Sequence, residues 1–154
     1  MSHDHNMPNG FSIREGSLLC EAVTADSLAQ RFATPLYVYS QTAITDAFAE
    51  WTDAFGSADH LICFAVKANS NIAILKLLAS LGSGFDIVSY GELQRVLAAG
   101  GNAAKVVFSG VGKAAAEIEL ALTAGIRCFN VESASELALI EKIARRLNKV
   151  AAIS

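Results

Sequence analysis

Five short apolar runs recur at nearly constant intervals from residue 61 onward, and this repeat constrains the fold more than any other feature. The runs end near residues 66, 88, 108, 131 and 153, so that successive ends lie 22, 20, 23 and 22 residues apart. Apolar residues between the runs recur at helical spacing. One strand, one helix and two short loops fill such an interval, which predicts a repeating βα unit. Near-continuous apolar strands between helices indicate a parallel sheet covered by helices.

Residues at the predicted helix boundaries support the same repeat. Ser89 with Glu92, and Ser133 with Glu136, have the spacing of capping boxes at helix starts. Three glycines fall at positions where the helices should end, namely Gly82, Gly100 and Gly125. The boundary residues therefore divide the chain into the same strands and helices as the apolar pattern.

Two architectures fit an α/β repeat of this kind, an open doubly wound sheet and a (β/α)₈ barrel, which needs about 250 residues. The 154-residue chain holds four complete units and a fifth apolar run that no helix follows. Because an uncovered parallel edge invites association, we expect the chain to be part of a longer barrel. An open five-stranded fold that ends on its last strand is the alternative.

The first 60 residues follow a different pattern. They predict a hairpin over residues 11–20, a short amphipathic helix over 26–32, a strand over 36–39 and a longer helix over 42–55. This segment therefore stands apart from the βα repeat.

Composition and charge exclude several classes of protein. With 53% hydrophobic and 18% charged residues, the chain has ample apolar material for a core. A net charge of −3 and scattered basic residues leave no patch for nucleic acid or an anionic membrane. No apolar run is long enough to span a bilayer, and the polar N-terminus has no secretory signal. The chain has three cysteines, Cys20, Cys63 and Cys128, and their spacing is not that of a metal site, so none is predicted. An odd number of cysteines without a disulfide pattern favours a reducing, cytoplasmic setting.

Lys67 and Asp86 are the candidate functional residues. Lys67 lies at the predicted end of the first repeat strand, the position of active-site residues in barrels. Partial desolvation disfavours an ammonium and makes such a lysine a candidate for Schiff-base formation, whereas extension into water would be structural only. Asp86 lies in the next strand and is costly to bury unless paired, so the two side chains could meet. A structural ion pair or a solvated strand end remains the alternative.

A glycine-bearing loop over residues 109–112 follows the third repeat strand. It has the G-x-G pattern without a third glycine, which allows either close approach of an anion or a tight turn. The pattern alone does not separate these two interpretations.

Four segments, at residues 64–71, 81–92, 107–113 and 125–133, resemble in order those of the fold-type III pyridoxal-phosphate decarboxylases. These are alanine-racemase-like barrels that include diaminopimelate, ornithine and arginine decarboxylases. The sequences of these segments are most similar to those of the diaminopimelate branch, since Ala68 stands where the ornithine branch typically has cysteine. The likeness covers roughly residues 35–154. It implies a partial (β/α)₈ barrel over residues 36–154, and it implies that residues 1–35 belong to a separate β-rich domain.

The resemblance also implies a function. Lys67 matches the lysine that carries pyridoxal 5′-phosphate, and Asp86 matches the acidic residue beside it. The implied reaction is decarboxylation of the small-molecule substrate meso-2,6-diaminopimelate to L-lysine, the last step of lysine biosynthesis, by a homodimer. A decarboxylase of another basic amino acid and a non-catalytic barrel that binds the cofactor are the alternatives. The family's phosphate loop, ring-nitrogen partner and substrate-binding residues would lie beyond Ser154, so we expect this chain to be inactive alone.

Overall fold

A computed structural model describes residues 7–154. The first six residues of the predicted β-rich segment, which spans residues 1–35, lie outside the described residues. The chain divides into two compact units, with the boundary between Ala58 and Asp59.

The first unit contains a three-stranded antiparallel sheet and two helices. Its strands are β1 (Phe11–Arg14), β2 (Ser17–Cys20) and β3 (Val23–Thr24), and its helices are α1 (Ala25–Phe32) and α2 (Gln41–Phe55). The predicted hairpin is confirmed, with Glu15 and Gly16 both at positive φ in its two-residue turn. Both predicted helices are confirmed to within one residue. The predicted strand over residues 36–39 is wrong, because an extended apolar segment becomes a strand only when it pairs with another, and these residues join neither described sheet.

A carboxylate from the sheet stabilises the start of α2. Ser40 caps this helix by accepting a hydrogen bond from Ala43 N at 3.0 Å, and its hydroxyl donates to Glu21 Oε1 at 2.9 Å. The same oxygen accepts a bond from Thr42 N at 2.9 Å. The Thr42 amide first, and then the Ser40 hydroxyl, hold the pKa of Glu21 below its ordinary value. This contribution to stability is therefore present above the unfolded-state pKa and is lost as the pH falls through the lower folded value.

Substitution of Gly10 by alanine is expected to break this arrangement. Gly10 has a φ of +79°, and a Cβ there would lie 1.9 Å from Ser40 Oγ, so the cap must move. Gly16 has the same φ but open space around it, which makes Gly16→Ala the matched control for backbone strain alone. We expect Gly10→Ala to cost more than the roughly 1 kcal/mol of the control in chemical denaturation, and to return the pKa of Glu21 towards its ordinary value. Equal effects of the two substitutions would contradict this account.

The second unit contains the predicted βα repeat. Its strands are β4 (Cys63–Ala65), β5 (Gly84–Ile87), β6 (Val106–Phe108) and β7 (Cys128–Phe129), and its helices are α3 (Ile72–Ser80), α4 (Tyr90–Ala98), α5 (Ala115–Ala124) and α6 (Ala134–Arg146). All four strands are parallel, in the order β4-β5-β6-β7. The fifth predicted strand is present as a single parallel bridge between Ile153 and Phe129.

The register of the four strands separates the two faces of this sheet. Ala65, Asp86, Val107 and Cys128 are directly paired and share one face, where each is half-buried. The next residues along, Ile87, Phe108 and Phe129, point to the opposite face and are almost completely buried. Each helix adds at least one equally buried residue to the core, among them Leu75, Leu93, Ile118 and Ile140. The core therefore lies between the sheet and its helices.

The predicted capping boxes are half right. Ser89 and Ser133 do cap their helices, by accepting bonds from Glu92 N at 3.3 Å and Glu136 N at 3.1 Å. The side chains of Glu92 and Glu136 do not accept a hydrogen bond from the backbone amide of the capping serine, as a capping box requires. Glu92 accepts from Val88 N instead, and Glu136 forms an ion pair described below. The positions of Gly82, Gly100 and Gly125 after their helices are confirmed, each with positive φ.

Candidate active site

The carboxyl-terminal ends of β4 to β7 meet at one edge of the parallel sheet, which is where α/β proteins bind their ligands. Lys67 lies at this edge, in a 3₁₀ turn (Val66–Ala68) directly after β4. Val66 is fully buried and anchors the turn, whereas Lys67 is exposed. Of the two alternatives left open by the sequence, partial desolvation and extension into water, the exposed side chain of Lys67 agrees with extension into water. Within residues 7–154 the Lys67 amine has no hydrogen bond or ion pair.

The segment after Lys67 is held in place by its own side chains. Asn69 N donates to Val66 O at 3.0 Å, and Asn69 Oδ1 accepts a bond from Asn71 N at 3.0 Å. Asn71 in turn caps α3 by accepting from Ala73 N at 2.9 Å. Lys67 is thus a free amine on a backbone that is fixed on both sides.

Asp86 lies at one end of a chain of polar side chains that follows three neighbouring strands. Its Oδ1 accepts a hydrogen bond from the Ser109 hydroxyl, and the Ser109 oxygen accepts one from Asn130 Nδ2 at 2.9 Å. Asp86 and Lys67 form no ion pair in the described part of the chain.

Sequence analysis did not predict that Ser109 and Asn130 lie close to Asp86. The strand register could have indicated this, because Val107 and Cys128 are paired in one row with Asp86. Ser109 and Asn130 follow these two residues by two positions each.

A buried ion pair between Lys113 and Glu136 connects the segments that follow β6 and β7. Lys113 Nζ donates to Glu136 Oε1 at 2.7 Å, to Gly110 O at 2.7 Å and to Asn130 O at 2.8 Å. The side chains of Lys113 and Glu136 are only 1% and 7% exposed. All three ammonium hydrogens are used, so the pair joins the loop before α5 to the end of β7 and the start of α6. Sequence analysis missed this pair, although Lys113 ends one of the family-like segments.

The loop over residues 109–112 is shaped by backbone geometry. Gly110 and Gly112 have φ values of +85° and +73°, and a Cβ on Gly110 would lie 3.2 Å from Val88 Cβ. Both observations favour the tight-turn interpretation of the G-x-G pattern.

The thiol of Cys63 lies on the same face as Asp86. Burial raises its pKa, and the negative charge of Asp86 raises it further. A thiol in this setting is unreactive at neutral pH. Among residues 7–154, no cluster of three or more histidine, cysteine, aspartate or glutamate side chains is arranged to hold a metal ion.

Comparison with known proteins identifies the family. A partial α/β barrel with an exposed, unpaired lysine at the carboxyl-terminal edge of its sheet is typical of proteins that bind an aldehyde cofactor through that lysine. Residues 41–153 match the family model described as pyridoxal-dependent decarboxylase, pyridoxal binding domain. The chain belongs to this family, which confirms the predicted resemblance and fold.

Within the described residues, no helix is both long and apolar enough to cross a membrane.

Several curated relatives of this chain are named diaminopimelate decarboxylase. That of Neisseria meningitidis serogroup A is 60% identical over 138 residues, which cover 90% of this chain and 34% of the relative. That of Haemophilus influenzae is 55% identical over 146 residues, which cover 95% of this chain and 35% of the relative. The chain thus spans about a third of the length of these curated relatives.

Two solved structures agree with the fold described above. The diaminopimelate decarboxylase of M. jannaschii has a TM-score of 0.91 at 37% identity, with 96% of this chain and 35% of that chain covered. The Helicobacter pylori diaminopimelate decarboxylase complexed with L-lysine has a TM-score of 0.80 at 51% identity, with 83% and 32% covered.

Proposed function

We propose that the full-length protein is a pyridoxal-phosphate-dependent carboxy-lyase that converts meso-2,6-diaminopimelate to L-lysine, the last step of lysine biosynthesis. The observation that carries this proposal is the unpaired amine of Lys67 at the carboxyl-terminal edge of a family-typical sheet. The identity of 55% to 60% to diaminopimelate decarboxylases supports the choice of substrate. The Helicobacter pylori relative, whose structure is a complex with L-lysine, supports the product.

The residues present at this edge fit pyridoxal phosphate. A free, exposed amine is what a bond to the aldehyde requires, and Lys67 provides it. When bound, the cofactor supplies an electron sink for the pair released from the Cα–carboxylate bond. Lys67 would hold the cofactor through Nζ. Asp86, which matches the family's acidic residue beside that lysine, would act electrostatically on the bound cofactor.

The proposal extends to organisation. We assign residues 1–35 to a β-rich second domain and residues 36–154 to the first part of the barrel, supported by the antiparallel sheet β1–β3 and the parallel repeat. In this structure α2 is part of the first unit, and the start of the helix is hydrogen-bonded to Glu21. The family resemblance supports a homodimer, and the three free cysteines support a cytoplasmic location: Cys20, Cys63 and Cys128.

The direct test is an assay of the full-length protein with pyridoxal phosphate and three candidate substrates. We expect lysine and carbon dioxide from meso-diaminopimelate, with kcat/KM at least about 100-fold above that for ornithine or arginine, because a site built for a polar group rejects analogues that lack it. Preferred turnover of ornithine or arginine would contradict the choice of substrate. Cofactor binding without any decarboxylation would favour a non-catalytic barrel.

A further inference from the structure

The inference concerns the loop over residues 109–112, which follows β6 at the same edge of the sheet as Lys67. Gly110 and Gly112 in this loop both have positive φ, and a Cβ on Gly112 would meet no atom within 4 Å. Val111 between them is 83% exposed. Glycine restricts the backbone less than any other residue, and an exposed valine adds no packing. The geometry of the loop therefore depends on contacts made by residues outside it.

Lys113, the residue directly after the loop, makes these contacts. Its Nζ donates back to Gly110 O at 2.7 Å and across to Asn130 O, just after β7, at 2.8 Å. The third hydrogen is donated to Glu136 Oε1 at 2.7 Å. The side chain of Lys113 is 1% exposed, so these bonds are shielded from solvent. An ammonium can bind three acceptors in three directions, which no apolar side chain can do.

Stability alone is a weak reason for a charged pair in this place. Removing two charges from water is costly, and an apolar pair of similar volume often stabilises a protein as well or better. An apolar pair cannot, however, hold two backbone carbonyl groups in fixed positions. The two carbonyl groups that Lys113 binds therefore indicate what this pair contributes beyond stability.

Both carbonyl groups lie beside side chains that lead to Asp86. Gly110 follows Ser109, whose hydroxyl donates to Asp86 Oδ1. Asn130 donates from its own Nδ2 to Ser109 Oγ at 2.9 Å. Lys113 is therefore connected to Asp86 by two routes, one through the backbone of the loop and one through Asn130.

We propose that Lys113 is a positioning residue, which fixes the two side chains that are hydrogen-bonded in a row to Asp86. Those side chains are Ser109 and Asn130, and Glu136 is the counter-ion that allows the ammonium to be buried. The inference rests on the proposed function, because Asp86 matters to turnover through its action on the bound cofactor. Turnover then depends on the two bonds from Nζ to the backbone, whereas stability depends on the balance of the two charges.

The test uses the full-length protein and two variants that separate these features. Lys113→Met combined with Glu136→Leu removes both charges and both backbone bonds, so much of the stability should remain. We expect kcat for meso-diaminopimelate to fall by about 10-fold, less than the roughly 10²-fold that a misplacement of about 1 Å can cost, with KM changed less than kcat. Crystal structures of this variant and the wild type should show the loop displaced and the hydrogen bond of Ser109 to Asp86 lost.

The second variant is Glu136→Gln, which removes the negative charge but keeps an oxygen within reach of Lys113 Nζ. All three bonds of the ammonium are retained, whereas the buried positive charge loses its partner. We expect a larger loss of stability than in the double variant, measured by chemical denaturation. The kcat should stay within about twofold of wild type, with the hydrogen bond of Ser109 to Asp86 unchanged.

Three results would overturn the inference. Unchanged positions of Ser109 and Asn130 in the double variant would show that Lys113 does not fix them. An unchanged kcat despite a displaced loop would show that the positions do not matter to the reaction. A fall of about 10-fold in the kcat of Glu136→Gln would show that turnover follows the charge balance, and this comparison remains if the double variant does not fold. The crystal structures need no turnover, so failure of the proposed function would appear separately, as absence of lysine release by the wild-type protein.

Discussion

Lys67→Ala in the full-length protein is expected to lower decarboxylation by about 10³-fold, the middle of the range of about 10²- to 10⁴-fold for one positioned group of an active site, because it removes the amine that we propose holds the cofactor. The substitution removes the one amine at this edge that is both exposed and unpaired in the described part of the chain. It should leave the free energy of unfolding within about 0.5 kcal/mol of wild type, because the side chain makes no hydrogen bond or ion pair there. Steady-state kinetics and chemical denaturation measure the two quantities.

The control for this prediction is Lys76→Ala, which removes another exposed lysine and should leave turnover unchanged. Borohydride reduction of the loaded protein followed by peptide mapping should find the cofactor on Lys67. An adduct on Lys76 would contradict the assignment. So would one on Lys113, whose ammonium is buried and fully hydrogen-bonded.

Lys113→Met is expected to destabilise the full-length protein by about 3–5 kcal/mol, the cost of leaving one member of a buried ion pair without its partner. Glu136 would remain as an uncompensated carboxylate with 7% of its side chain exposed. Two backbone oxygens, those of Gly110 and Asn130, would also lose their donor. Equilibrium denaturation measures the loss of stability.

The matched control is Arg145→Met, which breaks the ion pair of Arg145 with Glu141 at 2.5 Å, where the side chains are 79% and 58% exposed. It should cost no more than about 0.5 kcal/mol. The double variant Lys113→Met with Glu136→Leu removes both buried charges and should recover much of the stability. A Lys113→Met variant as stable as Arg145→Met would show that the buried pair contributes little.

The sequence predicted the repeat well because its signals are local. Strand ends, helix stripes and the capping glycines each depend on residues within one βα unit, and the structure has them at the expected places. The strand expected at residues 36–39 failed because a strand depends on its partner, which a local pattern does not reveal.

The site was predicted less completely than the fold. Lys67 and Asp86 were found from their positions and from the family resemblance, yet their surroundings were not. The bond of Ser109 to Asp86 and the pair of Lys113 with Glu136 each join residues 23 apart in sequence. Such contacts depend on strand register and on the course of a loop, and neither is fixed by the composition of the segments involved. The exposure of Lys67 likewise depends on what packs over its turn.

The agreement between strand order and chain order has a consequence for biosynthesis. In the order β4-β5-β6-β7, the partner of each strand is the strand made just before it. A chain that leaves the ribosome amino end first can therefore add one repeat at a time to a sheet already formed. Contacts close in sequence also form quickly. Apart from the outer edge of β4, each strand edge is exposed only until the next repeat emerges, so this unit presents little other unpaired backbone to nascent chains while it is being made.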